Sequence, residues 1–189
     1  MSRTDNLYEL PKNLPVPIDD GACNHLAGMR VPSMALHSTA GRTVDLATLR
    51  GRTVVYCYPR TGRPDVEPPK GWNEIPGARG CTPESCAFRD HFNELKSLGT
   101  NVFGLSAQTT EDQREAAERL HLPFELLSDA NLTFAKALLL PTFQVESTTL
   151  IKRLTLVIRE GQVEKVFYPV FPPDRHAEEV VAWLSLNRS

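Results

Sequence analysis

The chain has 189 residues, a formal net charge of −2 at pH 7, and 41% hydrophobic and 23% charged residues. This length suits one domain with a sizeable core, and these fractions are typical of a globular protein rather than a disordered chain. No run of like charges indicates a nucleic-acid surface or a polybasic membrane anchor, and no segment approaches the roughly 20 apolar residues that cross a bilayer.

The first residues of the chain predict an N-terminal arm, residues 1–27, with little regular structure, because they carry several prolines and no hydrophobic period. They also contain no apolar stretch typical of a secretory signal. We therefore expect a cytoplasmic protein with reduced cysteines, in which a purely structural disulfide is unfavourable. Residues 28–189 are predicted to form one domain.

The first regular elements are a hairpin, a buried strand and a long loop. Met34–Leu49 reads as a hairpin around Ala40-Gly41 followed by a short helical turn. Arg52–Pro59 is β-branched and aromatic without alternation, which favours a central strand covered on both faces. The proline- and glycine-rich segment that follows is aperiodic up to Gly80. Loops of this length are uncommon in compact domains and are often functional.

The rest of the sequence alternates between strand and helix patterns. Strands that alternate with helices and end in a hairpin predict an α/β fold with a mixed central β-sheet flanked by helices. Sites on such sheets usually lie where strands give way to helices. The predicted helices are Cys81–Leu98, Thr110–Leu122 with Thr110 as its cap, Asn131–Leu140 and Asp174–Leu186; the predicted strands are Asn101–Ala107 and Phe124–Asp129, with a hairpin over Arg153–Val170 that turns at Glu160-Gly161.

Two cysteines lie at such a boundary, in the stretch GARGCTPESCAFRDHF. The first N–H groups of a helix are unpaired and carry partial positive charge, so a Cys81 thiolate is stabilised there and its pKa is expected below ~8.5. The same N–H groups could hold a small polar or anionic ligand. Arg79 and Arg153 are candidates for a further cation, although Arg79 is expected to be mainly a solvated loop residue.

Cys86 cannot bond to Cys81 while this helix is intact. Five residues rotate by about 500°, which leaves the two side chains roughly 140° apart, and their Cα atoms lie beyond the ~7 Å that a disulfide spans. A link would require the first helical turns to unwind. Cys23 and Cys57 read as small buried hydrophobic residues, with Cys23 as an alternative partner of an oxidised Cys81.

Other interpretations of the cysteines stay open. Cys81 and Cys86 could be structural, or could bind zinc together with His91, although zinc sites usually use closer cysteine pairs and a second such pair. A Cys-x-x-Cys motif of the thioredoxin type is absent.

The segment GCTPESCAFRD resembles the peroxidatic motif of the peroxiredoxins, most closely the bacterioferritin comigratory protein or Q-type subgroup. The segments VVYCYP, STAGRTVDLATLRGR and KRLTLVIREGQVEKVF fit that subgroup in register, so the resemblance covers roughly residues 28–186. It implies a thioredoxin-like fold, here with an N-terminal extension and an inserted loop before the reactive cysteine.

The resemblance also implies an activity, the reduction of hydrogen peroxide and alkyl hydroperoxides by thiols. Cys81 matches the peroxidatic cysteine, Cys86 the resolving cysteine, and Arg153 the arginine that holds thiolate and peroxide. A sulfenic acid on Cys81 would condense with Cys86 to a disulfide, which thioredoxin or a similar dithiol would reduce. No metal or organic cofactor is implied, and the chain is expected as a monomer or homodimer.

One part of the motif departs from the family, which reads Pro-x-x-x-Thr-x-x-Cys. Position 78 is alanine and position 74 is glutamate, whereas Pro59 and Thr61 follow the central strand. We therefore expect an insertion over about residues 62–78 to bulge out and return Thr61 to the sulfur.

Supporting roles are expected for Pro59, Thr82 and Glu84. Thr82 is the next candidate for the hydroxyl. Glu84 could receive the proton, orient the cysteine loop or only interact with the helix dipole. Trp72 is expected mainly to anchor the insertion.

The alternatives to an enzyme are a peroxide sensor or disulfide relay with little turnover, and a zinc-stabilised binding module.

Overall fold

The computed structural model of the protein describes residues 3–188. Its elements confirm the predicted alternation of strands and helices. The strands are β1 Leu36–Ser38, β2 Thr43–Val44, β3 Arg52–Cys57, β4 Thr100–Ser106, β5 Glu125–Ser128, β6 Thr142–Val145, β7 Thr148–Ile151, β8 Leu154–Arg159 and β9 Gln162–Phe167; the helices are α1 Cys81–Asp90, α2 Phe92–Ser97, α3 Thr110–Arg119, α4 Thr133–Ala137 and α5 His176–Leu186, with short 3-10 helices at Trp72–Glu74 and Pro173–Arg175.

Seven strands form one mixed sheet in the order β2-β1-β5-β4-β3-β8-β9. Strands β3, β4 and β5 run parallel, whereas β8 lies antiparallel beside β3, with Leu154 opposite Cys57. The predicted α/β fold with a mixed central sheet is therefore confirmed. The register of β8 matters for function because it places the start of this strand beside the end of β3.

Alternating side chains of the central strands build two cores. On β3, Val54 and Tyr56 face one core, with α1, α2 and α5, while Val55 and Cys57 face the other, with α4 and the N-terminal arm. The aromatic ring of Tyr56 stacks on that of Phe88 at a centroid separation of 4.4 Å. Its hydroxyl donates to Ser85 Oγ at 3.0 Å. Helix α1 is thus fixed to the sheet along its length.

Two of the predicted helices that differ from the structure lie before β5. The helix predicted over Cys81–Leu98 is broken at His91, where φ is −94° and ψ is 7°. Because the break is only one residue long, Phe88 before it and Leu95 after it are both fully buried. The spacing of the apolar residues therefore did not reveal the break. The cap of α3 is Thr109 rather than Thr110, because the Thr109 side chain accepts from the Asp112 N–H at 3.2 Å.

The last differences lie after β5. Helix α4 is shorter than the predicted Asn131–Leu140 because the Asp129 carboxylate accepts the N–H groups of Phe134 and Ala135, each at 2.9 Å, and Leu139 has a positive φ of 52°. The β6–β7 hairpin was not predicted. It turns at Glu146, at a φ of 54°, without the glycine or asparagine that marks such turns.

The N-terminal arm and the insertion both pack against the domain. In the arm, Cys23 and Leu26 are buried in one core. The insertion leaves the core after Thr61, returns at Ala78 and is anchored by Trp72, which is 6% exposed and packs on the β6–β7 hairpin. The predicted anchoring role of Trp72 is confirmed.

Within residues 3–188, no helix is long and apolar enough to span a membrane.

Candidate active site

The site forms where β3 ends and β8 begins. Cys81 is the first residue of α1 and is 3% exposed. It follows Gly80, which has a φ of 110°, a conformation that L side chains rarely adopt. Arg153 immediately precedes Leu154 of β8, so the pairing of β8 with β3 brings its side chain to the loop that leads into α1.

Arg153 connects Cys81 to Glu84 through a buried guanidinium. Its Nη2 donates to the Cys81 sulfur at 3.1 Å and its Nη1 to Glu84 Oε2. The remaining contacts go to backbone carbonyls: Nε to Gly77 at 3.1 Å, and Nη2 to Ala78 at 3.0 Å and to Arg79 at 3.3 Å. The side chains of Arg153 and Glu84 are 1% and 0% exposed. Cys81, Glu84 and Arg153, all singled out from the sequence, thus lie together. The planar guanidinium bridges the thiol and the carboxylate.

Burial of this cluster opposes ionisation of the resting thiol more strongly than the nearby arginine favours it. Burial raises the pKa of Cys81 above its ordinary value, and Glu84 raises it further; Arg153 and the Arg60 backbone N–H act in the opposite direction. Burial also raises the pKa of Glu84 against the pull of Arg153 and His176. The prediction of a lowered Cys81 pKa was therefore wrong, because it considered the helix N-terminus but not the burial of the sulfur or the second acid beside the cation.

The two candidate hydroxyl groups have different surroundings. Thr61 is buried, and its backbone N–H and its Oγ1 donate to Gln108 Oε1 at 2.8 and 3.1 Å. Thr82 is 2% exposed, and its Oγ1 has no hydrogen-bond partner among residues 3–188. Pro59, two residues after the end of β3 and two before Thr61, is buried. Gln108, which follows β4, was not singled out from the sequence because only the parallel pairing of β3 and β4 brings it to Thr61.

Cys86 lies on the same helix but in a different environment. It is half-buried, and burial raises the pKa of its thiol while Arg89 and Arg119 oppose this effect. Both cysteines are free and belong to the intact helix α1. Cys23 and Cys57 are buried in a core, as predicted, and burial raises the pKa of Cys23 to about 12.

A small cavity of about 40 Å³ opens beside the sulfur. Half-buried Arg60 reaches this cavity and has no carboxylate partner within the described range 3–188; the sequence analysis missed it because nothing marks it within an aperiodic loop. Arg79 was expected to be solvated but is 5% exposed, because the N-terminal arm covers it. The lining includes Arg3, Leu7, Arg60, Trp72, Cys81 and Thr82.

The residues of the zinc alternative do not meet. Within residues 3–188, no group of three or more histidine, cysteine or acidic side chains could hold a metal ion. His91 instead lies with its Nδ1 3.0 Å from Glu94 Oε1.

Known proteins are similar to this chain in sequence and in fold. Residues 26–182 match the family model described as Redoxin. The chain is 32% identical over 159 residues to a chloroplastic peroxiredoxin Q of Sedum lineare, covering 83% of this chain and 76% of the relative. It is 29% identical over 164 residues to a putative peroxiredoxin bcp of Coxiella burnetii, covering 83% and 97%.

Among solved structures, the peroxidoxin BcpB of Mycobacterium tuberculosis matches with a TM-score of 0.71 and 28% identity, over 87% of this chain and 100% of that one. A peroxiredoxin Q of Xanthomonas campestris matches in fold with a TM-score of 0.65 and 22% identity, over 82% and 92%. Fold and site thus define a thiol peroxidase of the thioredoxin superfamily. Within that class, the chain belongs to the peroxiredoxin Q family, as its cysteine motif and flanking segments predicted.

Proposed function

We propose that Cys81 is the peroxidatic cysteine of this enzyme and that hydrogen peroxide and small organic hydroperoxides are its substrates. The observation that carries the assignment is the 3.1 Å contact between Arg153 Nη2 and the Cys81 sulfur, at a cavity that reaches the same sulfur. A guanidinium in this position stabilises a thiolate and the negative charge that develops on the peroxide oxygens.

In the proposed reaction, the Cys81 thiolate attacks one peroxide oxygen. A sulfur–oxygen bond forms and the oxygen–oxygen bond breaks; the leaving alkoxide or hydroxide takes up a proton and departs as alcohol or water. Cys81 is oxidised to a sulfenic acid. Glu84 holds Arg153 in place and, as a second anion on the same cation, determines how readily the thiol ionises.

The hydroxyl that contacts the peroxide is proposed to come from Thr61 or Thr82. Pro59 and Thr61 follow the central strand as the family's proline and threonine do, but the Thr61 hydroxyl donates to Gln108. Thr82 lines the cavity beside Cys81 with an unpartnered oxygen. The surroundings therefore favour Thr82.

Cys86 is proposed to resolve the sulfenic acid. Its thiolate would attack the Cys81 sulfur and release water, and thioredoxin or a similar dithiol would reduce the resulting disulfide by exchange. Since both cysteines lie in the intact helix α1, the first turns of that helix must unwind for the bond to form. We further propose the cytoplasm as the compartment, and a monomer or homodimer as the assembly.

The test is peptide mapping of the reduced protein after one equivalent of hydrogen peroxide. The wild type is expected to lose two hydrogens in a Cys81–Cys86 link that thioredoxin reverses. Cys86→Ser should stop at a Cys81 sulfenic acid, whereas the control Cys23→Ser should still form the link. A Cys81–Cys23 link would contradict the role of Cys86, and an unoxidised Cys81 would contradict the peroxidatic assignment. Oxidation with little thioredoxin turnover would favour the sensor or relay alternative.

A further inference from the structure

Residues 3–10, called here the arm segment, pack directly onto the loop before Cys81. Asp5 accepts a hydrogen bond from Arg79 Nη1, and Arg79 Nη2 donates to the carbonyl oxygens of Asn6 at 2.6 Å and Glu9 at 3.3 Å. The Arg79 side chain is 4% exposed. Because a buried guanidinium needs partners for its charge and its donors, these contacts hold the arm segment against the site.

Two glycines at the site have no room for a side chain, and atoms of the arm segment are among those in the way. A Cβ on Gly62 would clash with Nη1 of Arg3 and lie 3.0 Å from Cδ1 of Leu7. A Cβ on Gly80 would clash with Cγ of Pro173 and lie 2.8 Å from Cδ2 of Leu10. The arm segment therefore touches the chain on both sides of the insertion, immediately beside Cys81.

Together, the arm segment and the insertion enclose the cavity at the sulfur. Arg3 and Leu7 line it from the arm segment, Val66 and Trp72 line it from the insertion, and Cys81 lies against it. Leu7 and Trp72 are 8% and 6% exposed. A water molecule needs about 10–15 Å³ of such space, so the 40 Å³ cavity has room for a molecule of only a few heavy atoms.

We propose that the arm segment and the insertion form a wall that restricts Cys81 to hydrogen peroxide and the smallest alkyl hydroperoxides, with Leu7 as a specificity-determining residue. This inference rests on the proposed peroxidatic role of Cys81. Hydrogen peroxide, with two heavy atoms, fits the enclosed space. An aromatic hydroperoxide does not fit unless the arm segment moves away from Gly62 and Arg79.

The experiment compares single-turnover rate constants for oxidation of Cys81 by hydrogen peroxide and by cumene hydroperoxide. In the wild type, hydrogen peroxide is expected to react much faster. In Leu7→Ala, the cumene-to-hydrogen-peroxide ratio should rise by about tenfold or more, since small changes in an apolar wall typically alter discrimination about 10- to 200-fold. Gly62→Ala should raise the ratio as well, because its new methyl group displaces Arg3 and Leu7 from the opposite side.

Val16→Ala is the matched control, because Val16 lies in the same N-terminal region, is 62% exposed and does not line this cavity. Its ratio should equal that of the wild type. The inference is overturned if Leu7→Ala and Gly62→Ala both keep the wild-type ratio, or if wild-type protein already reacts equally fast with both peroxides. Failure of hydrogen peroxide to oxidise wild-type Cys81 would instead refute the proposed function itself.

Discussion

Replacing Glu84 by glutamine should change the pH dependence of Cys81 oxidation in a specific way. Glutamine keeps the volume of the side chain and an oxygen that can accept from Arg153, but it removes the buried negative charge. That charge is one of the causes that raise the pKa of Cys81. Without it, the Arg153 cation is balanced only by the thiolate, so the pKa of Cys81 falls.

The size of the effect follows from the shared guanidinium. Groups on its two terminal nitrogens lie about 5 Å apart, and two unit charges at that distance repel by about 3 kcal/mol at an effective dielectric constant of about 20. Removing that repulsion favours the thiolate by about a hundredfold. A less basic thiolate is also a weaker nucleophile, by about tenfold for this change at a Brønsted coefficient of about 0.5.

These two factors predict that the plots of rate constant against pH for the wild type and Glu84→Gln cross. At mildly acidic pH, where Cys81 is mostly thiol in both proteins, Glu84→Gln should react with hydrogen peroxide about tenfold faster than the wild type. At alkaline pH, where both proteins are thiolates, it should react about tenfold more slowly. The measurement is the single-turnover rate constant against pH, together with the pH dependence of Cys81 alkylation.

Glu94→Gln is the control, because Glu94 is a 58% exposed glutamate of α2, and its profile should match the wild type. A pH profile of Glu84→Gln that coincides with the wild-type profile would refute the reasoning, since Glu84 would then carry no charge that alters the pKa of Cys81. A variant that is slower at every pH would mean that Glu84 acts mainly by holding Arg153 in position.

The remaining predictions concern the groups that contact the sulfur or the peroxide. Arg153→Lys loses the planar guanidinium that contacts Cys81 and Glu84 together, and should slow oxidation about 10²- to 10³-fold, the usual effect of a lost transition-state donor. Arg159→Lys, at the far end of β8, should not slow it, and an equal rate for both variants would exclude the proposed role of Arg153. Thr82→Val should slow oxidation by about tenfold through the loss of one hydrogen bond to the peroxide. If Thr61→Val gives this loss and Thr82→Val does not, the hydroxyl comes from Thr61.

The sequence was sufficient for the parts of the site that depend on local pattern. Gly80 and the helical order that follows placed Cys81 at a helix start, and the register of the β8 segment with its family identified Arg153. Glu84 followed from its position in the first turn of α1. These predictions need only short-range geometry or a motif, and the structure brings the three side chains together.

The sequence was insufficient where long-range packing determines the chemistry. The Asp5–Arg79 contact spans segments that have no hydrophobic period, so no pattern fixes which residue meets which. The prediction of a lowered pKa for Cys81 failed for the same reason. A helix start is readable from the sequence, but the near-complete burial of Cys81 is not, because Cys81 belongs to a core cluster of the domain and shares its cavity with the arm segment and the insertion.

The contacts around α1 bear on the resolving step as well as on the first oxidation. A Cys81–Cys86 link requires the first turns of α1 to unwind, and this motion must release Cys81 from Arg153 and Ser85 from Tyr56. The arm segment holds Arg79, two residues before Cys81, and thereby adds to the cost of the motion. Each of these contacts favours the helical form, in which the sulfur faces the cavity and the arginine. The packing that prepares Cys81 for a peroxide therefore also opposes its transfer to Cys86, and the balance between the two forms is set by the same few residues.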